Sequence, residues 1–475
     1  MLQAIQDMYR GGRLRVRAAG SMGPEFSSDR GVKQGDPLSP LLFGLLLERI
    51  EQIFQEVGDG GVLVGDRRVS MLFYADDLVL LGETPAVVQR ALDLLQQCCL
   101  CLKMEVNVGE TVGMVMNRRY HKGRAVRWMY NGKKVEMRRD FKYLGTDFRE
   151  GEGVGGAWLR LQSSARKAMY GMQRRCGVLG VDSVDLRLLL FRTLVRSVSD
   201  FGSAVWGPYA GLMKGVKDGA DRMQVQFLKG VLGVRESVAS VVVYRELEDG
   251  PVWVAWVRRA AGFWNRVVRR PATDLVRIAV ADSCSMAQRG VSGCWAAQLR
   301  ASIQLVSGGV GEDWQLDLED MARLPAKLAG GGGGGWWRLA LGVAPRRLLE
   351  EETALVREVP ERISQGFKVL VHHRWFGVGE GSAVGKGMRF WEVLKDRSAV
   401  NLLARVRMGS LSLAMEEGRW AQPRVPRGQR LCLMCGAGVI EDEMHFLLEC
   451  VPPAPGSGLR TCLHLIWLCR IRMSS

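Results

Sequence analysis

No apolar run in this 475-residue sequence is long enough to span a bilayer, and no secretory h-region opens it. Eleven cysteines are present, but they do not follow the spacing of a disulfide framework. These absences argue against a membrane-spanning helix or a secreted chain and for a reducing compartment, nucleus or cytoplasm. Acidic residues are the scarcer charge: 50 Asp and Glu stand against 66 Lys and Arg, a formal charge of +16. Such an excess favours a polyanionic partner without naming one. A chain of this length is expected to hold roughly two to four domains.

The tetrad Tyr74-Ala75-Asp76-Asp77 lies between two short β-prone runs, Val69 to Phe73 and Leu78 to Leu81. This pattern predicts a β-hairpin with two carboxylates at its tip. Adjacent carboxylates offer oxygen ligands to Mg²⁺ or Mn²⁺, the metals of two-metal phosphoryl transfer. Asp-Asp is also a favourable turn pair in its own right.

Upstream stands Gly31-Val32-Lys33-Gln34-Gly35-Asp36-Pro37-Leu38-Ser39-Pro40-Leu41-Leu42-Phe43. Its glycines would let backbone approach a bulky ligand where a Cβ would clash. Ser39 is expected as N-cap and Pro40 as first residue of a helix running to Val57. Downstream stands Phe141-Lys142-Tyr143-Leu144-Gly145. In this order the three segments resemble motifs B, C and E of the reverse transcriptases of non-LTR (LINE-type) retrotransposons. The resemblance implies an RNA-directed DNA polymerase, with Asp76 and Asp77 as catalytic Mg²⁺ ligands. It also implies that Gln34, Gly35 and Tyr74 meet the incoming deoxynucleoside triphosphate and the template. An RNA template and a DNA primer would be its partners. The alternative is a non-catalytic nucleic-acid-binding remnant of such an element.

Two departures from the family pattern bear on activity. Motif A, which supplies the first catalytic aspartate from a neighbouring strand, has no counterpart before Gly31: Asp7 sits in a helix-like opening and Asp29 abuts motif B. The expectation is an N-terminally truncated polymerase in which Met1 is an internal methionine. In the region matching motif D, Asn107 and Thr111 agree with the family, but Glu110 and Val112 replace two lysines. A lysine there would steady the departing pyrophosphate; glutamate reverses the sign.

Residues 118–142 hold ten basic residues against two acids. Tyr130-Asn131-Gly132-Lys133 is a strong hairpin signal. Lys133, Lys134, Arg138, Arg139 and Lys142 are therefore candidate contacts to primer and nucleic acid, with Trp128 and Tyr130 as aromatic surface. A solvated basic face is the other reading. Arg13-Leu14-Arg15-Val16-Arg17 alternates strictly, as a phosphate-facing strand or a charge-protected edge strand would.

Residues 151–270 read as helical, with Trp158, Leu161, Ala165, Met169 and Met172 in one core stripe. Asp200-Phe201-Gly202-Ser203-Ala204-Val205-Trp206 resembles a segment that LINE-type enzymes carry after the palm, which implies a thumb. Residues 271–425 are less legible and largely helical, broken by six glycines at 330–335. Trp336-Trp337 follow them, to stack on bases or pack beneath a loop, and His372-His373 have no metal-like neighbours. Near the C-terminus, Cys432-x2-Cys435-x9-His445-x4-Cys450 suits tetrahedral Zn²⁺. Cys98, Cys99 and Cys101 are expected in the core. The expected architecture is α+β: a partial right-hand polymerase palm (1–150), a helical thumb (151–270), the region 271–425, a zinc knuckle (426–455) and a tail (456–475) that departs from the family.

Overall fold

The computed structural model describes residues 2–307 and 389–450, apart from 11, 19, 28–30, 33–34, 58–59, 117–125, 152–153, 248, 395 and 443–444. Gln34, Asp29, the six-glycine run, Trp336-Trp337, His372-His373 and the tail fall outside the described residues. The chain forms two compact units, Met1–Phe141 and Lys142–Ser475. No helix of the described residues is long and apolar enough to cross a membrane.

In the first unit, helix α1 (Leu2–Tyr9) precedes an exposed hairpin of β1 (Arg13–Ala18) and β2 (Ser21–Ser27). The arginine alternation does make a strand, and both of its faces are exposed. Glu25 on β2 answers Arg15 at 3.1 Å and Arg13 at 3.8 Å. Helix α2 (Ser39–Val57), the hairpins β3 (Val62–Val64) to β4 (Arg67–Val69) and β5 (Met71–Tyr74) to β6 (Asp77–Leu80), and helix α3 (Pro85–Leu102) follow. Short strands β7 (Val112–Gly113), β8 (Met129–Tyr130), β9 (Lys133–Lys134) and β10 (Glu136–Met137) complete the unit, with β7 parallel to β10.

Helix α3 shows how sequence sets these limits. Thr84 caps it by accepting from Val87 N at 3.3 Å, Pro85 opens it, and left-handed Lys103 (φ 54°) closes it. Ala91, Leu92, Leu95, Cys98 and Cys99 recur at helical spacing and are buried with Leu47, Ile50 and Phe54 of α2 and Met71 of β5. Cys101, two positions past Cys99 and thus on another helix face, is exposed, contrary to the expected core position.

Trp128 and Tyr130 also depart from expectation. They are not aromatic surface but are 6% exposed and part of this core. Trp128 Nε1 donates to Pro85 O at 2.9 Å. Side chains of α3 then pair with β8 as a strand would: Gln89 both donates to Met129 O and accepts from Met129 N at 2.9 Å, and Gln96 accepts from Asn131 N at 2.9 Å. The basic hairpin is thereby pinned to α3 through its aromatic face, leaving its lysines outside.

The second unit opens with a hairpin of β11 (Asp140–Tyr143), at the junction of the units, and β12 (Thr146–Arg149), then becomes helical. Its helices are α4 (Val154–Val178), α5 (Val184–Leu190), which passes through a π turn at 191–195 into α6 (Arg196–Ser199), α7 (Ser203–Leu212), α8 (Lys214–Leu232), α9 (Ser240–Glu246), α10 (Val252–Val267), α11 (Leu275–Gln288), α12 (Trp295–Ser307), α13 (Phe390–Val393), α14 (Arg397–Arg407) and α15 (Ala414–Trp420). Trp158, Ala165, Met169 and Met172 of α4 face inward as the stripe predicts. Trp206 and Trp158 flank Trp256 edge-on, with ring centres 4.8 and 6.0 Å away. A Cβ on Gly207 would lie 2.8 Å from Trp256 Cβ, so glycine is what lets α7 cross α10 closely.

Candidate active site and metal centre

The β5–β6 hairpin pairs Met71 with Leu80 and Tyr74 with Asp77, so Ala75 and Asp76 alone form the turn. Ala75 holds φ at 52°, a left-handed conformation that costs a non-glycine residue about 1–3 kcal/mol. Burial of Met71 and partial burial of Phe73, Leu78 and Leu80 in the α2–α3 core anchor the strands that hold this turn. Tyr74, Asp76 and Asp77 are exposed at its end. The arrangement presents two adjacent hard-oxygen donors on a rigid support. Among the described residues, no third histidine, cysteine or carboxylate joins them as a metal-binding group. Asp7 lies on α1, where it accepts from Gln3 at 3.3 Å.

The segment before α2 is organised by Asp36 rather than Ser39. Asp36 Oδ1 accepts from Leu38 N at 3.0 Å, and Ser39 is already the first helical residue, buried at 6% exposure. Tyr9 donates to Asp36 Oδ2 at 2.8 Å, tying α1 to this turn. Gly31 (φ 82°) and Gly35 (φ 84°) hold positive φ, which excludes most side chains, and a Cβ at either would meet no protein atom within 4 Å.

The basic hairpin turns at Asn131 (φ 47°) and Gly132 (φ 73°), the two positive-φ positions of a type I′ turn. Lys133, Lys134, Arg138, Arg139 and Lys142 are all exposed. Arg138 brings its own counter-charge, forking Glu136 at 2.8 and 2.9 Å; that hydrogen bond lowers the Glu136 pKa and raises that of Arg138. Arg118, Arg119, Lys122 and Arg124 lie outside the described residues.

The segment Asp200 to Trp206 proves to be a structural junction, a role its sequence did not disclose. Asp200 is 4% exposed. Its carboxylate accepts from Arg196 at 2.8 Å, Ser199 at 3.1 Å and Trp256 at 2.8 Å, and pairs with Arg259 at 2.9 Å. Arg196 in turn donates to Gln224, which donates to Gly250 O. The one local signal was the i,i+4 spacing of Arg196 and Asp200; the other partners are distant in sequence. Removing one side of a buried, hydrogen-bonded pair leaves an uncompensated charge. Asp200→Ala is therefore expected to cost about 3–5 kcal/mol, and Asp200→Asn less. Denaturant unfolding of the two variants against wild type checks this; a midpoint unmoved by Asp200→Ala would contradict it.

Cys432, Cys435, His445 and Cys450 converge, with one ligand atom from each inside a span of 4.8 Å. A tetrahedral ion with 2.3 Å metal–sulfur bonds requires sulfurs about 3.8 Å apart. Cys432 and Cys450 sulfurs stand 3.7 Å apart, and Cys435 Sγ lies 3.3 Å from His445 Nε2. The four atoms thus fit a tetrahedral ion such as zinc. Asp442 Oδ1 accepts from the backbone N of His445 at 2.9 Å, and the buried Nδ1 of His445 has no hydrogen-bond partner, with the Glu449 carboxylate 3.6 Å away. The backbone N–H of Ala437 is the main cause lowering the Cys435 thiol pKa, while burial and then the neighbouring Cys432 push that of Cys450 up to about 12.

Comparison with known proteins agrees with the hairpin geometry. The family model for reverse transcriptase (RNA-dependent DNA polymerase) matches residues 2–148. The chain is 40% identical over 89 residues to the Pol polyprotein of the type-2 retrotransposable element R2DM from Drosophila melanogaster. It is 36% identical over 96 residues to that of the type-1 element R2 from Nasonia vitripennis, and 33% over 85 residues to one from Popillia japonica. These matches take in 19%, 20% and 18% of this chain but 8%, 9% and 12% of the relatives, so it covers only about a tenth of their length. Residues 2–148 accordingly match the reverse transcriptase family, and part of the chain is similar to the Pol polyproteins of R2 retrotransposable elements.

Proposed function

We propose that the chain is the polymerase portion of an RNA-directed DNA polymerase of a non-LTR element, copying an RNA template from a DNA primer. The observation that carries this reading is the pair Asp76–Asp77 at a strained hairpin tip within the reverse transcriptase domain. Bound Mg²⁺ would activate the primer hydroxyl and neutralise charge on the triphosphate. Asp76 and Asp77 supply oxygen ligands for it. Gln34, Gly35 and Tyr74 border the deoxynucleoside triphosphate and template. Residues 151–270 serve as thumb, and the cluster of Cys432, Cys435, His445 and Cys450 as a zinc knuckle. The test is extension of a DNA primer on an RNA template with Mg²⁺ or Mn²⁺. Incorporation only of the complementary nucleotide supports polymerase function. Tight hybrid binding without incorporation at any protein concentration would favour the non-catalytic remnant.

The exposed lysines of the β8–β9 hairpin support binding by charge rather than by base readout, so affinity is expected to be sequence-independent and steeply salt-sensitive. Each phosphate neutralised contributes about 0.7–0.9 to the log–log salt slope. Reversing Lys133, Lys134, Arg138 and Arg139 to glutamate is expected to flatten the slope for an RNA–DNA hybrid by several units, with Arg138 contributing least because Glu136 already answers it. A wild-type slope in the quadruple variant would mean a merely solvated face.

A further inference from the structure

The turn that leads into α2 carries a negative charge where the proposed function has to hold a polyanion. Gly35 is exposed, and a Cβ built on it would meet no protein atom within 4 Å. Asp36 follows it directly and is half-buried. The proposed function has Gly35 border the deoxynucleoside triphosphate. A carboxylate free to swing one residue away would oppose those phosphates, because like charges at short range repel strongly where water is partly excluded.

Asp36 is held at both carboxylate oxygens. Oδ1 accepts from Leu38 N at 3.0 Å, and the backbone O of Asp36 accepts from Ser39 N at 3.1 Å, so that half of the restraint comes from the turn itself. Oδ2 accepts from Tyr9 OH at 2.8 Å, and the same hydroxyl lies 3.4 Å from Oγ of the buried Ser39. This second half comes from a residue 27 positions earlier. Tyr9 is the last residue of α1 and is half-buried, whereas its neighbours Met8 and Arg10 are exposed. A hydroxyl donating to a carboxylate is charge-assisted, and such bonds are among the stronger polar contacts.

We propose that Tyr9 is a positioning residue for the nucleotide: it holds the Asp36 carboxylate against α1 and the start of α2, so that this charge does not face the triphosphate at Gly35. The inference rests on the proposed polymerase function and adds to it a residue from outside the segment that resembles motif B. Without the hydroxyl, Oδ2 loses that donor and the carboxylate can rotate about its Cβ–Cγ bond. Rotation also strains the Leu38 contact and loosens the backbone that follows Gly35. This route does not involve Asp76 or Asp77. The loss therefore falls on nucleotide binding and not on the chemical step.

The experiment uses the full chain on an RNA–DNA hybrid in two forms. With a dideoxy-terminated primer, stabilisation of the complex against a heparin trap by the next complementary nucleotide gives nucleotide affinity without turnover. With an extendable primer in single turnover, the same titration gives the half-saturating nucleotide concentration and the saturating rate. Tyr9→Phe is expected to weaken nucleotide binding about tenfold in both, with the saturating rate and the hybrid affinity unchanged. That split is a readout a merely structural role would not give. Asp36→Asn removes the charge but keeps an oxygen for Leu38 N, so it should bind nucleotide at least as well as wild type. Tyr9→Phe added to Asp36→Asn should then cost much less than it does alone. Gln3→Ala, exposed on the same helix, should match wild type. Wild-type nucleotide affinity in Tyr9→Phe, an equal loss in Gln3→Ala, or an undiminished loss in the Asp36→Asn background would overturn the inference while leaving polymerase function standing. So would a fall of rate and hybrid affinity in step with nucleotide binding, which marks a general loss of structure. A wild-type chain that neither traps nor incorporates the complementary nucleotide would overturn both.

Discussion

Stripping zinc from the full chain is expected to unfold residues from about 410 to 450 while leaving the helical remainder of the second unit intact. Structural zinc contributes roughly 10–16 kcal/mol of apparent binding energy in small modules. Little else could hold this one. Its own apolar cluster comprises only Val406, Leu411 and Leu413, with Leu402 and Phe446 packed against it. Polar ties among the described residues include Arg430 to Val425 O at 2.9 Å and Met415 O at 3.0 Å, Met415 N to Glu441 O at 3.2 Å and the Leu431–Ile440 bridge, while Arg235 holds Ser410 Oγ at 2.8 Å and Ser412 Oγ at 2.7 Å at the upstream edge. Upstream, α14 is secured independently by the Arg407–Glu246 fork, at 3.0 and 3.1 Å, and by Arg405 to Gly233 O at 2.8 Å. Unfolding should therefore stop near Arg407. The checks are one zinc per chain by elemental analysis, and new protease cleavage between 414 and 450 after chelation. Cys435→Ser should lose the ion and show the same cleavage without chelator. Zinc content unchanged in that variant would refute the assignment. Because thiolate and neutral imidazole are the binding forms, zinc should also leave as pH falls.

What was legible in the sequence was local. The carboxylate hairpin followed from two apolar runs flanking a polar pair, the Asn-Gly turn from residues that tolerate positive φ, and the α4 stripe from its period. The metal cluster followed from the spacing of Cys432, Cys435, His445 and Cys450 together with the resemblance of the last segment to the family's knuckle. What was not legible depended on partners remote in the chain. Trp128 and Tyr130 look like surface in a basic segment, but α3, some forty residues earlier, supplies the acceptor and side-chain clamps that bury that face. Ser39 lies inside the helix rather than capping it, and the turn before it is closed by Asp36, which Tyr9 reaches from α1. Asp200 reads as one letter of a motif until Trp256 and Arg259 arrive from α10.

Asp76→Ala is expected to reduce primer extension about a thousandfold while leaving hybrid affinity within a few-fold of wild type. A metal at this site supplies several kcal/mol of transition-state stabilisation, and each 1.36 kcal/mol is a factor of ten. Affinity should survive because it comes from the exposed lysines and arginines, not from the hairpin tip. The baseline matters as much as the substitution. Nucleotidyl transfer requires two metals about 3.5–4 Å apart, with carboxylates holding both. Among the described residues only Asp76 and Asp77 gather at the tip, and both come from one hairpin. Primer extension by residues 1–475 is therefore expected to be slow. Glu110, exposed beyond α3 at a position where the resemblance implies a lysine, is expected to oppose the leaving pyrophosphate and deepen the deficit. Glu110→Lys is thus expected to raise the rate modestly. Measured on poly(rA) with a DNA primer, a slow signal lost in Asp76→Ala and raised in Glu110→Lys fits this account. Rapid synthesis abolished by Asp76→Ala would show that another carboxylate of this chain completes the metal pair, and scanning Asp7 and Asp29 by alanine would identify it.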